Sequence, residues 1–248
     1  MSRRKTAPQY DAIGAQWEDA RVLPTVYPER DSFLRLVGDV AGKRVLDLAC
    51  GDGFYTRSLK ERGASRALGL DVSPAMIEAA RAAERSVALG AEYLVGDAAR
   101  PDLSGLGGFD LVTAAYLLNY ARSEEELTDM CRGARSVLGT GRFVGVTQNP
   151  RFSFDGPRPD PYGFVFEERT TTPFGTHIRV TAALEPPVTF ETCLIRPEVY
   201  ERAFTKAGFG TLRWLPMTVP AHAEERFGEG YWDAFLANPP IVMFEALG

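Results

Sequence analysis

The sequence predicts an α/β fold: a doubly wound, mostly parallel sheet of Rossmann-like type with an antiparallel insert after its fifth strand. Three observations carry this. Short aliphatic and β-branched runs alternate with helical stretches between Arg44 and Thr147, at the interval expected when helices join and cover parallel strands. The first run, Val45-Leu46-Asp47-Leu48, opens into Ala49-Cys50-Gly51-Asp52-Gly53 and then a helix, so that a glycine-rich turn presents a helix start. Asp47, Asp71 and Asp97 fall at the carboxyl ends of three consecutive strands, the edge on which open α/β sheets bind ligands.

Taken in order, residues 1–9 are polar and aperiodic and read as a disordered start. Tyr10, Ile13 and Trp17 share one face of a helix that is expected to stop at Pro24 and Pro28. A second helix over about 29–40 turns Phe33, Leu34 and Val37 inward, and residues 1–40 are read as a helical lid over a domain of residues 41–248. Strands follow at 44–48, 67–70, 91–95, 109–115 and 142–147. Helices are expected at 54–62, after the Ser73-Pro74 start, and at 124–138. Residues 148–163 hold four prolines and two glycines and read as a long loop. Strands at 164–171, 176–184 and 188–195 complete a substrate-side insert over 148–195. A helix at 197–207, a strand at 211–215, a helix near 229–236 and a strand at 241–246 close the chain.

Composition narrows the partners. Twenty-eight Lys and Arg against 33 Asp and Glu give a net charge of −5, no footprint for nucleic acid or an anionic membrane. The longest charge-free runs, 111–121 and 234–244, are 11 residues each, where a membrane-spanning helix needs about 20. The basic Ser2-Arg3-Arg4-Lys5 is followed by no apolar run, so a cytoplasmic protein is expected. Cys50, Cys131 and Cys193 are widely spaced, and only His177 and His222 offer imidazole, so no metal is expected.

The glycine turn alone would also suit a nicotinamide dinucleotide, but the third glycine of that fingerprint is replaced at Thr56. Asp71 is placed to accept from both hydroxyls of a ribose, and Asp97 followed by Ala98 to accept an adenine amino hydrogen. Each aspartate singly is also a good N-cap for the helix after it.

These residues resemble a family. The 45–54 stretch, Gly69-Leu70-Asp71-Val72-Ser73-Pro74-Ala75-Met76, Gly96-Asp97-Ala98 and Phe109-Asp110-Leu111-Val112-Thr113 are similar to the ordered motifs of class I S-adenosylmethionine-dependent methyltransferases. The resemblance spans about residues 10–147, and more loosely the tail through Ala207-Gly208-Phe209. It implies that Gly51 and Gly53 line the methionine part of S-adenosyl-L-methionine, with Asp47 and Ala49 also at the cofactor. It further implies that Asp71 holds the ribose, that Val72 and Met76 flank the adenine, and that Asp97 with Ala98 reads the adenine edge. Ala49 stands where glycine is commoner and Asp52 where threonine is common. More narrowly, 115–121, Thr147-Gln148-Asn149-Pro150 and Tyr10-Asp11-Ala12-Ile13-Gly14 resemble toxoflavin-type N-methyltransferases of bacterial secondary metabolism, which act on small planar nitrogen heterocycles.

On that reading Tyr116, directly after the fourth strand, faces both cofactor and acceptor, with Asn119 close behind and Tyr10 and Trp17 closing over the cofactor. Asn149, Phe152, Tyr162, Phe164 and Phe174 are expected to hold a flat small-molecule acceptor. Methyl transfer to nitrogen, leaving S-adenosyl-L-homocysteine, is expected to need no base, since no histidine, cysteine or lysine recurs near Tyr116. The alternatives are O-methylation of a phenol with His177 as base, a nicotinamide oxidoreductase, and a non-catalytic cofactor-binding protein. A monomer or homodimer is expected.

Overall fold

The computed structural model describes residues 20–98 and 108–248. Helix α1 (Val26–Val37) precedes β1 (Arg44–Leu48), α2 (Phe54–Glu61), β2 (Arg66–Asp71), α3 (Pro74–Val87), β3 (Glu92–Val95), β4 (Phe109–Ala115), α4 (Glu124–Val137) and β5 (Leu138–Gln148). The insert follows as β6 (Phe164–Thr171), β7 (Gly175–Ala182) and β8 (Val188–Ile195). The chain ends with α5 (Pro197–Lys206), β9 (Thr211–Leu215), α6 (Ala221–Phe227), α7 (Asp233–Ala237) and β10 (Ile241–Leu247).

The central sheet runs β3-β2-β1-β4-β5-β10-β9, and β6-β7-β8 form a second, antiparallel sheet. The first five strands pair in parallel, while β10 runs antiparallel between β5 and β9. Strand order therefore reverses between β1 and β4, which opens a crevice at their carboxyl ends. The two-residue period of the strands sorts the core: Leu46, Leu48, Val112 and Phe143 face α4 and α5 on one side. Val45, Leu111, Val144 and Val146 face α1, Trp232 and Phe235 on the other.

Several local signals act as expected. Ser73 caps α3 by accepting from the Met76 amide at 3.2 Å, with Pro74 at the first helical position. Ser123 caps α4 in the same way, and Glu126 reaches back to the Arg122 amide at 2.9 Å. Other boundaries moved for identifiable reasons. Pro28 sits inside the first turn of α1, where a missing N–H costs nothing, so the helix starts ahead of it. β5 begins at Leu138, directly after α4, because Gly141 lets the strand lie against the Asp110 carbonyl; a Cβ there would fall 2.0 Å from that oxygen. The single helix expected near 229–236 is replaced by α6 and α7, with Trp232 and Phe235 buried.

Of the expected lid, residues 20–40 are described. Phe33, Val37 and Val40 are fully buried in the main core, so α1 is part of the domain it was expected to cover. Tyr10 and Trp17 lie outside the described residues.

Asp47, on the α1 side of β1, ties three elements together. Its Oδ2 accepts from Thr56 of α2 at 2.7 Å and its Oδ1 from Thr113 of β4 at 2.9 Å. Asp47→Ala leaves the buried Thr56 hydroxyl without its acceptor and Thr113 with only the Leu46 carbonyl at 3.4 Å, and an expected loss of about 2 to 4 kcal/mol follows. Urea unfolding of the variant against the parent measures it.

Candidate active site

A cavity opens at the carboxyl edge of the central sheet, between the glycine turn after β1 and the insert. On one side it is walled by Asp47, Ala49, Gly51, Asp71, Val72, Met76, Asp97 and Ala98, and with Tyr116 the cavity brings together nine of the ten described residues expected to meet a cofactor. Asp71 organises this side: its Oδ2 accepts from the Gly51 amide and its Oδ1 from the Ser73 amide, both at 2.9 Å. Gly51 has φ +55° and no atom within 4 Å of where a Cβ would stand, so its backbone is open to a ligand.

Gly53 is a correction. It does not line the cavity; its φ is +79° and a Cβ would lie 2.6 Å from the Tyr93 ring, so glycine is required here for packing and for the turn into α2.

Two non-glycine residues at the cavity carry left-handed backbone, Ala49 at φ 57° after β1 and Tyr116 at φ 60° after β4. Such conformations cost on the order of 1–3 kcal/mol and persist where surrounding structure holds them. Tyr116 is held at both ends. Its amide donates to the Val146 carbonyl at 2.9 Å and its hydroxyl to Glu29 Oε2 at 2.7 Å.

Glu29 is one cavity residue that the sequence does not single out. It comes from α1, is 8% exposed, lines the cavity, and also accepts from the Tyr55 hydroxyl at 2.8 Å. Burial raises its pKa above the ordinary carboxylate range, while the Tyr116 and Tyr55 hydroxyls pull it down by a smaller amount. Burial and the neighbouring Glu29 push both tyrosines well above the usual phenol range, so they remain donors to the carboxylate. Burial likewise pushes Asp47 up to about 6, against the hydroxyls of Thr56 and Thr113.

The opposite wall is the inner face of the insert. Phe166, Val180 and Phe190 are register partners across the three strands, and with Phe164 they form an apolar wall; Gln148, Pro240 and Ile241 adjoin the cavity where β5 and β10 meet. Phe166 and Phe190 were not foreseen, although Phe166 shares the parity of Phe164.

Several expected acceptor and catalytic residues are elsewhere. Asn119 is fully buried, donating to Thr192 at 2.7 Å, so it joins β4's exit to the insert. His177 lies on β7 opposite Cys193, on the face away from Ile178 and Val180, and does not reach the cavity. Asn149 is spent on the Pro239 carbonyl at 2.8 Å and the Arg151 amide. Tyr162 stacks on Trp232 and donates to the Tyr231 carbonyl, anchoring the insert to the C-terminal helices. Phe152 backs Phe166 from behind, and Phe174 packs on the main core. Of the five acceptor-side residues expected beyond Tyr116, only Phe164 lines the cavity.

Residues 45–141, which hold the glycine turn, Asp71, Asp97 and Tyr116, match the family described as methyltransferase domain. That stretch, under half of the chain, is similar to methyltransferase domains. A ubiquinone biosynthesis O-methyltransferase of Acinetobacter baylyi is 28% identical over 161 residues, which are 61% of this chain and 67% of that protein. Further curated ubiquinone biosynthesis O-methyltransferases, from Acinetobacter baumannii, align over 62% of their own length. Among solved structures, an S-adenosylmethionine-dependent methyltransferase from Mesorhizobium loti superposes with a TM-score of 0.65 at 20% identity, covering 89% of this chain and 98% of that one. The CcbJ methyltransferase from Streptomyces caelestis gives 0.63 at 18% identity, covering 100% and 99%.

The cofactor of this methyltransferase domain is S-adenosylmethionine, and the cavity wall fits it: an open glycine backbone, a carboxylate at the end of β2, and the apolar Val72, Met76 and Ala98 beyond. Asp71→Ala removes a charge-assisted acceptor and frees the Gly51 amide, so S-adenosylhomocysteine affinity is expected to fall at least tenfold, each such bond contributing about 1.5 to 3 kcal/mol. Isothermal titration of variant and parent measures it.

Proposed function

We propose that the chain methylates a nitrogen or oxygen nucleophile on a small acceptor with a flat apolar body, and that Glu29 takes the proton which the nucleophile sheds. The observation that carries this reading is the 2.7 Å hydrogen bond from Tyr116 to Glu29 in a cavity also lined by Phe164, Phe166 and Phe190. When bound, S-adenosylmethionine supplies a methyl group already activated on sulfonium, so positioning provides most of the acceleration. The chain's own residues then have three tasks. The aromatic wall of the insert presses the acceptor towards Tyr116 and keeps water out. Tyr55 and Tyr116 fix the Glu29 carboxylate by donating to it. Glu29, raised by burial, has a proton affinity closer to that of an acceptor than a surface carboxylate has.

This reading revises the expectation of transfer without a base, which counted only histidine, cysteine and lysine near Tyr116. Base-free N-methylation of a neutral ring nitrogen is the second reading, supported by the flat apolar wall and the resemblance to toxoflavin-type enzymes. The curated relatives are named as O-methyltransferases, which supports an oxygen nucleophile within the first reading.

Glu29→Gln keeps the shape and removes the proton acceptor. With any acceptor that releases S-adenosylhomocysteine, kcat is expected to fall by about 10²- to 10⁴-fold while cofactor affinity is unchanged. A base works only when ionised, so the parent's kcat/KM should rise with pH through the raised Glu29 pKa, above the ordinary carboxylate range. The variant should lack that limb. An unchanged rate with a flat profile would favour base-free transfer to a ring nitrogen.

A further inference from the structure

Gln148 closes β5 opposite Ile241 and is 3% exposed. Its Oε1 is buried without a hydrogen-bond partner, yet the residue lines the cavity. An orphaned buried acceptor is unfavourable, and an apolar side chain of the same length would avoid the penalty, so the position calls for a donor supplied by whatever enters. The strand period fixes where the side chain lies. Val144, Val146 and Gln148 share the α1 side of the sheet, while Phe143 and Thr147 face the other, where Thr147 meets the Tyr200 hydroxyl at 3.0 Å. Tyr116 lies between the two strands' ends and α1: its amide is bonded to Val146, two residues before Gln148, and its hydroxyl to Glu29.

We propose that Gln148 is a specificity-determining residue which, together with Glu29, selects an acceptor whose nucleophile is an amine carrying at least two hydrogens when bound. This rests on the reading of Glu29 given above. Two hydrogen-bond acceptors, the Glu29 carboxylate and the Gln148 amide oxygen, belong to residues that line the same cavity. A hydroxyl has one hydrogen and serves only one of them; a primary amine, or a secondary amine in its protonated form, serves both, and an ammonium charge also meets the Glu29 carboxylate. The rings of Phe164, Phe166 and Phe190 suit an aromatic body on that amine.

The test uses the full chain with S-adenosylmethionine and two matched pairs, benzylamine with benzyl alcohol and 2-phenylethylamine with 2-phenylethanol. S-adenosylhomocysteine release is read by mass spectrometry, and acceptor binding to the S-adenosylhomocysteine-loaded protein by saturation-transfer NMR. The amines are expected to exceed the alcohols at least tenfold in kcat/KM. Gln148→Met, apolar and of similar volume, is expected to raise the amine KM about tenfold and weaken its NMR signal, with S-adenosylhomocysteine affinity unchanged. Gln148→Glu, which keeps an acceptor in place, should retain the amine preference. Alcohols used as well as amines, a silent Gln148→Met, loss of cofactor affinity in step with acceptor affinity, or no binding and no turnover of either amine would each overturn the inference. Preferred alcohols with a Glu29-dependent rate would reject it while leaving the proposed function standing.

Discussion

The carboxylate of Asp47 sits where β1, α2 and β4 have to agree in position, and the rest of the ligand edge is registered from it. Thr56 brings the first turn of α2 to it and Thr113 brings β4. With those two elements fixed, the 49–53 turn has a set span to cross, and the strand ends that carry Asp71 and Tyr116 open on the same side. A buried carboxylate without donors would be costly, and burial does push its pKa up. Two hydroxyls at hydrogen-bond distance make it a structural junction.

Around that junction, stiffness is concentrated where ligands meet the wall. Ala49 and Tyr116 both adopt left-handed backbone without being glycine, and both end strands adjacent in the sheet. Tyr116 is held through its amide by β5 and through its hydroxyl by α1, so its ring direction is set by two neighbours at once. On α1, Ser32 is bonded to Thr218 and Phe33 is buried, which keeps the helix, and Glu29 with it, from sliding along the sheet.

How much of this is legible in the sequence follows from the range of each interaction. The turn after β1, the Ser73 cap, the β1 to β5 alternation and the position of Asp71 at the end of β2 are local patterns within a strand, a turn and a helix start, and the structure has each of them. Glu29 is not legible, because its two partners are 26 and 87 residues away and its own surroundings look like an ordinary first helical turn. The aromatics were misjudged for a related reason. Phe152, Tyr162 and Phe174 are apolar and near the insert, but which face an irregular segment turns inward is a tertiary matter. Inside β6 and β8, parity with Phe164 and the strand pairing would have pointed to Phe166 and Phe190. His177 fails on the same parity.

The division of labour along the chain has a consequence for how such a protein changes its chemistry. The cavity wall expected to meet the cofactor comes from the continuous stretch that matches the methyltransferase domain family, residues 45–141. Glu29 comes before that stretch, and Gln148, Phe164, Phe166 and Phe190 come after it; Tyr116 is the bridge between the two sets. Two flanking segments thus form one chamber around a self-contained donor module. Residues in those segments can be exchanged, and a different molecule admitted, while the glycine turn and the ends of β2 and β3 keep their own local bonds.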